Sequence, residues 1–243
     1  MSGQPMVNPS RRSLNVRGQL AAAVVKSFDT LSRGISSLSL FDEKRMGDVR
    51  VINCIQQVFD DDEAKSKRRK RSTEGIDRIV IHRLGPSVGV TPGEIIKNFK
   101  DESRFAAGSY TGGTVPYCFQ VDPWGRINQL LEIDDLAWHA RAYSKPGIGV
   151  AVSGDFREHP PTWESDFNLK RLCTLLSYWI GTKCQIFGHT EMPGAGANPN
   201  KVCPGEFLDI DHLREVVDAR VSEMVKLDSD GRDIVLMSCG IIL

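Results

Sequence analysis

The feature that most constrains this chain begins at Ile76. From there, short apolar runs of strand length alternate with longer amphipathic windows of helix length. Arg78 to Ile81 reads as a buried strand. Thr91-Pro92-Gly93-Glu94 then opens a helix predicted to run to about Ser103, with threonine as the cap, proline in the first turn and glutamate three residues after the cap. Val115 to Val121 and Arg126 to Leu131 are strand-like, and Asp122-Pro123-Trp124-Gly125 between them is hairpin turn chemistry. Ile148 to Val152 is a further strand, Asn168 to Ile180 an amphipathic helix, Gln185 to Phe187 a short strand and Ile210 to Val225 a last helix. Strands interleaved with helices predict an α/β domain built on a central mixed β-sheet flanked by helices.

The first 75 residues have a different texture. They carry 14 Lys/Arg against 9 Asp/Glu, although the whole chain of 243 residues balances 31 basic with 31 acidic groups. A neutral total gives no reason to expect nucleic acid as a partner. Leu20, Val24, Phe28, Leu31, Ile35 and Leu38 step by three and four, the stripe of one helical face. Gly18, Gly34 and several serines weaken that helix, so residues 20–38 are expected to dock on a protein partner or on the domain itself. Val49 to Phe59 is a second apolar patch, and periodicity does not decide between strand and short helix. Asp60-Asp61-Asp62-Glu63 followed by Lys67-Arg68-Arg69-Lys70-Arg71 reads as a solvated linker. The expected organisation is therefore an N-terminal extension and linker over 1–75, a catalytic domain over 76–226 and a tail over 227–243.

No apolar run is long enough for a spanning helix, and the start lacks the pattern of an export signal, so the expectation is a protein made and kept in a cytoplasm. The six cysteines show no disulfide spacing and are expected to be reduced.

Three residues suggest chemistry. His82 ends the apolar run Ile79-Val80-Ile81, His189 follows Gln185-Ile186-Phe187, and Cys203 lies beyond a loop rich in Gly, Pro and Asn. Two strand ends can converge, and such a loop can fold back onto them. Two imidazoles and a thiolate suit zinc, and three protein ligands leave a fourth position for water, the pattern of a catalytic site. No close His/His or Cys/Cys pair forces this reading. Each residue alone has an ordinary explanation, as a hydrogen-bonded histidine or a semi-buried thiol.

The ordered segments Ile79-Val80-Ile81-His82, Pro116-Tyr117-Cys118-Phe119-Gln120-Val121, Trp138-His139-Ala140, Ile148 to Phe156, Gly188-His189-Thr190-Glu191 and Lys201-Val202-Cys203-Pro204-Gly205 resemble the landmarks of the zinc N-acetylmuramoyl-L-alanine amidases and peptidoglycan recognition proteins. The resemblance covers about residues 76 to 220. It implies a mixed sheet with a zinc cleft, peptidoglycan as substrate, and a Zn²⁺ ion held by His82, His189 and Cys203. It also implies that Tyr117 and Lys201 line the cleft, one orienting or donating to the reacting groups and the other facing the developing oxyanion. Glu191 is expected either to orient a histidine or to cap a turn. His139 is expected at the cleft rim, in contact with substrate, or packed in its loop. His159 and His212 have no ligand-like context. Trp124 is expected to pack at the hairpin tip.

One departure is Tyr143-Ser144-Lys145-Pro146-Gly147, where many relatives carry an asparagine shortly before the Ile-Gly pair. This puts substrate contacts there in doubt. The resemblance leaves two alternatives to an active amidase: a recognition module that binds without cleaving, and a component of a phage tail. Cys203 argues against the first. A wall-cleaving enzyme without an export signal is expected to be a phage lysin, released by lysis or carried in the virion.

Overall fold

A computed structural model describes residues 51–60, 68–85, 91–100, 115–181, 184–193 and 202–229. The stripe over 20–38, the tail over 230–243 and Lys201 lie outside the described residues. Six strands form one sheet in the order β1-β4-β3-β5-β2-β6. They are β1 (Val51–Asn53), β2 (Arg78–Leu84), β3 (Phe119–Val121), β4 (Ile127–Gln129), β5 (Gly147–Ser153) and β6 (Gln185–Gly188). Helices α1 (Ile55–Val58), α2 (Pro92–Lys100), α3 (Trp163–Ile180) and α4 (Ile210–Ser229) accompany them. The sheet is mixed: β3 and β4 run antiparallel, and the other neighbouring pairs run parallel. The expected fold class is what the chain adopts.

Strand β5 is buried at all seven positions. A central parallel strand covered on both faces needs an unbroken apolar run, which Ile148, Val150 and Val152 supply on one face and glycine and alanine on the other. Ile79, Ile81, Ile148 and Val150 are wholly buried, and each side chain contributes about 1.5–3 kcal/mol by leaving water. Helices α3 and α4 pack on one another, α3 also meeting β2 and α4 meeting β6.

Local signals explain the element ends. The Thr91 backbone N–H donates to Glu94 Oε2 at 3.0 Å and the Glu94 N–H donates to Thr91 Oγ1 at 3.3 Å, the reciprocal cap expected there. Helix α3 starts at Trp163, five residues earlier than expected. Its cap is Thr162, whose Oγ1 accepts from the Ser165 N–H at 3.2 Å and donates to the Pro123 carbonyl at 2.6 Å, tying the helix to the hairpin tip. At that tip Asp122 Oδ1 accepts the N–H groups of Trp124 and Arg126 at 2.9 and 2.8 Å. Trp124 does not pack inward; it is 60 % exposed, with the Arg126 guanidinium over its ring.

The expected linker differs most from expectation. Val51–Asn53 pairs with Ile127–Gln129 as an edge strand, and Ile55–Val58 forms one helical turn, so the ambiguous apolar patch is both strand and helix. Residues 68–71 are not a free linker: Arg71 is buried and Arg68 half-buried, while Arg69 and Lys70 are exposed. The Arg71 N–H donates to Asp134 O at 2.8 Å and the Leu136 N–H to Arg69 O at 2.7 Å, joining this segment to 134–136. Arg68 grips Asp135 through two bonds of 2.7 and 2.9 Å, and Lys70 reaches Glu132 and Asp134 at 2.6 Å each. Residues 51–53 thus join the sheet and 69–71 join its 134–136 flank, ahead of residue 76. The physical reason is charge complementarity: the basic block meets the acidic run Glu132-Ile133-Asp134-Asp135. Among the described residues no helix is long and apolar enough to cross a membrane.

Candidate active site

Strand register brings the two histidines together. Ile81 of β2 pairs with Gly188, the last residue of the parallel β6, so His189 leaves β6 beside His82, which is still within β2 and paired with Ala151 of β5. Their ring centroids lie 4.4 Å apart. Cys203 is delivered by a turn sewn to both strand ends. Thr190 donates to the Cys203 carbonyl through its N–H and its Oγ1, each at 3.0 Å, and Arg83 Nε donates to Val202 O at 3.1 Å. Gly205 closes the turn. At its φ of +123° any side chain is strained, and a Cβ would lie 2.4 Å from the Phe156 carbonyl oxygen. One ligand atom from each of His82, His189 and Cys203 falls within 4.8 Å of the other two.

That set fits a zinc ion. Burial, with His139 and His189 nearby, pushes the His82 pKa well below its usual value, so the ring is the neutral form that coordinates. Burial pushes the Cys203 thiol up, partly offset by the Arg83 backbone N–H and charge. Two nitrogen donors and one sulfur donor from three separate elements leave one tetrahedral position open. A second acidic group, Glu132, Asp134 and Asp135, also clusters closely enough to hold a metal. It is already neutralised by Arg68 and Lys70.

Tyr117 lies against the same site, its ring 5.0 Å from His82 and 5.8 Å from Phe99. Burial, then the nearby Cys203, raises its phenol above the ordinary value, so at neutral pH it keeps its O–H hydrogen.

Glu191 and His139, each with two expected roles, take the capping and the packing alternative. Glu191 Oε2 accepts the Gly188 N–H and an Arg214 Nη2 hydrogen, both at 2.5 Å. Its carboxylate closes the turn that carries His189 and so acts as a cap. His139 is not at the rim. It is buried behind His82, where its Nδ1 faces His82 Nε2 at 3.0 Å and its Nε2 faces the Gly147 carbonyl at 3.2 Å. The preceding Trp138 takes the exposed position. Burial holds the His139 pKa down at about 3, against the hydrogen bond to Gly147. His159 and His212 are exposed and away from the cleft.

Sequence reading missed Arg71, which is buried directly behind this cluster. Its Nη1 donates to the carbonyls of Ser144, Lys145 and Gly147 at 2.8, 3.0 and 2.5 Å, and its Nε and Nη2 donate to Ile133 O at 3.0 and 2.9 Å. The signal available was the acidic run at 132–135, which answers the basic block.

The family description of N-acetylmuramoyl-L-alanine amidases matches residues 71–206, more than half of the chain. No curated protein sequence matches significantly. Among solved structures, the Ph2119 endolysin from Thermus scotoductus MAT2119 bacteriophage Ph2119 superposes with a TM-score of 0.53 at 19% identity, covering 69% of this chain and 99% of that one. Drosophila peptidoglycan recognition protein SD gives a TM-score of 0.51 at 15% identity, covering 68% and 95%. At such identities these two likenesses establish the fold alone. The family match covers every described residue of the cleft, and the chain belongs to the N-acetylmuramoyl-L-alanine amidase family.

Proposed function

We propose that the protein is a zinc-dependent peptidoglycan hydrolase that cleaves the amide between N-acetylmuramic acid and the L-alanine of the stem peptide. The observation that carries this reading is the convergence of His82, His189 and Cys203 within 4.8 Å. A zinc ion bound there supplies Lewis acidity toward water and toward the scissile carbonyl. The chain's own groups do the rest. Tyr117, kept protonated by burial, donates a hydrogen bond to the oxygen that gains negative charge. Lys201, two residues before Cys203, is proposed as a cation for the same oxygen. Glu191 contributes by holding the turn of His189. Water is consumed, the lactyl group leaves as a carboxylate and alanine leaves with a free amine.

We further propose a phage lysin, released by lysis or carried in the virion. Sharing a fold with the Ph2119 endolysin supports this reading. Residues 20–38 are the proposed docking segment for a phage structural protein. A recognition module that binds peptidoglycan without cleaving it is the second reading; the intact Cys203 ligand speaks against it.

The test is metal analysis of the purified protein together with digestion of a peptidoglycan suspension. One zinc per chain is expected, with turbidity loss that releases new alanine amino termini and no new reducing ends. Cys203→Ala should lose zinc and hydrolysis together, and chelation should abolish hydrolysis reversibly. A Cys203→Ala protein with full zinc and full rate would overturn the site. Zinc without any turbidity loss would favour the recognition module.

A further inference from the structure

The geometry points to His139 as a positioning residue that decides which nitrogen His82 offers to the metal. This inference rests on the zinc reading of the cleft. Its logic starts at the Gly147 carbonyl, which has lone pairs and no hydrogen. The His139 Nε2 facing it at 3.2 Å must therefore carry the hydrogen. A neutral imidazole carries one hydrogen, so His139 Nδ1 is left as an acceptor. His82 Nε2, 3.0 Å from that acceptor, must then donate. The hydrogen of a neutral His82 is thereby fixed on Nε2, and Nδ1 keeps its lone pair for the cleft.

Two further features hold the relay in register. Gly147 O is also bound by the buried Arg71 Nη1 at 2.5 Å, which fixes where His139 must point. The ring lies flat on the β5 backbone, because a Cβ on Gly149 would stand 2.8 Å from His139 Cγ and one on Gly147 would stand 3.3 Å from Cε1. The two glycines are the seat of the imidazole. In this way the departure at Pro146-Gly147 acquires a purpose in holding a ligand's neighbour.

The closing experiment has two arms on the full chain. In the zinc-free wild type, nitrogen-15 NMR of the imidazoles should find His82 protonated on Nε2; finding it protonated on Nδ1 overturns the proposal, whether or not the enzyme is active. In the second arm, zinc affinity is measured by chelator competition. His139→Leu should weaken zinc binding about 10- to 100-fold. His139→Asn, whose Oδ1 can replace the Nδ1 acceptor, should recover most of that loss, whereas a purely space-filling role would show no such rescue. A wild type that binds zinc and cleaves peptidoglycan, with unchanged affinity in His139→Leu, refutes this inference alone. A wild type that takes up no zinc refutes the functional reading instead, and the NMR result still stands by itself.

Discussion

Two buried polar clusters lie back to back at this sheet and solve opposite problems. Around Arg71 the chain buries a permanent cation and surrounds it with carbonyl oxygens from Ile133, Ser144, Lys145 and Gly147. Around His82 it buries neutral rings and a thiol, and leaves lone pairs converging on one point. The first cluster is complete in itself, because its charge and its acceptors come from the same chain. The second, on the proposed reading, is completed by a cation from outside. Removing a group from the first should therefore cost stability, and removing one from the second should cost chemistry. Gly147 O belongs to both clusters, so the division is of function and not of contact.

The largest expected effect that probes this division comes from truncation. Removing residues 1–50 should leave the melting temperature and hydrolysis of soluble wall fragments unchanged while abolishing any partner docking. Removing 1–75 also deletes β1, Arg68 and Arg71, and should give a protein that aggregates or melts far lower. Equal melting of the two truncations would break the comparison. Next, Arg71→Met leaves several carbonyls without donors and should lose about 3–5 kcal/mol in a urea titration. A loss below about 1 kcal/mol would mean that water replaces the guanidinium.

The same comparison predicts the reverse behaviour for Tyr117→Phe and Lys201→Ala. Each should keep zinc and melting temperature but slow turnover by about 10², the usual worth of one oxyanion donor. Unchanged turnover in both would return them to packing and surface roles. The smallest effect concerns the ionic clasp that flanks Arg71. Burial pushes the Glu132 carboxyl up, but hydrogen bonds from Lys70 and Arg68 outweigh it and hold it below the usual range. A folded value below the unfolded one means that stability is present above about pH 4.3 and lost as pH falls through the lowered value. The groups are partly exposed, so the effect should be well under about 1 kcal/mol. Melting curves of wild type and Glu132→Gln should differ at pH 6 and converge in acid; a constant offset would rule the clasp out.

The sequence made the cleft more legible than its support. The strands carrying His82 and preceding His189 follow from short apolar runs, although β2 runs two residues past His82, and a family of ordered segments joined both histidines to Cys203. Helices and the Asp122–Gly125 hairpin were equally readable, because caps and turns are local signals. Arg71 was not readable: its partners are main-chain carbonyls 62 to 76 positions downstream, and the carboxylates that pair with Arg68 and Lys70 are similarly distant. Whether His139 faces the rim or packs in its loop was left open for a related reason. Sequence shows a histidine beside a tryptophan, but which of the two faces inward depends on the glycine seat in β5, a tertiary fact.

The register of β2 and β6 has a consequence in time. The chain is made from its N-terminus, yet the ligand on β2 meets its partners only when β6 and the turn beyond it have been synthesised. Closing so long a loop costs entropy that is recovered only once β6 zips onto β2. A growing chain thus lacks part of the three-residue set until Cys203 has been made. On the proposed reading, hydrolysis is therefore expected to be absent from any chain that ends before Cys203.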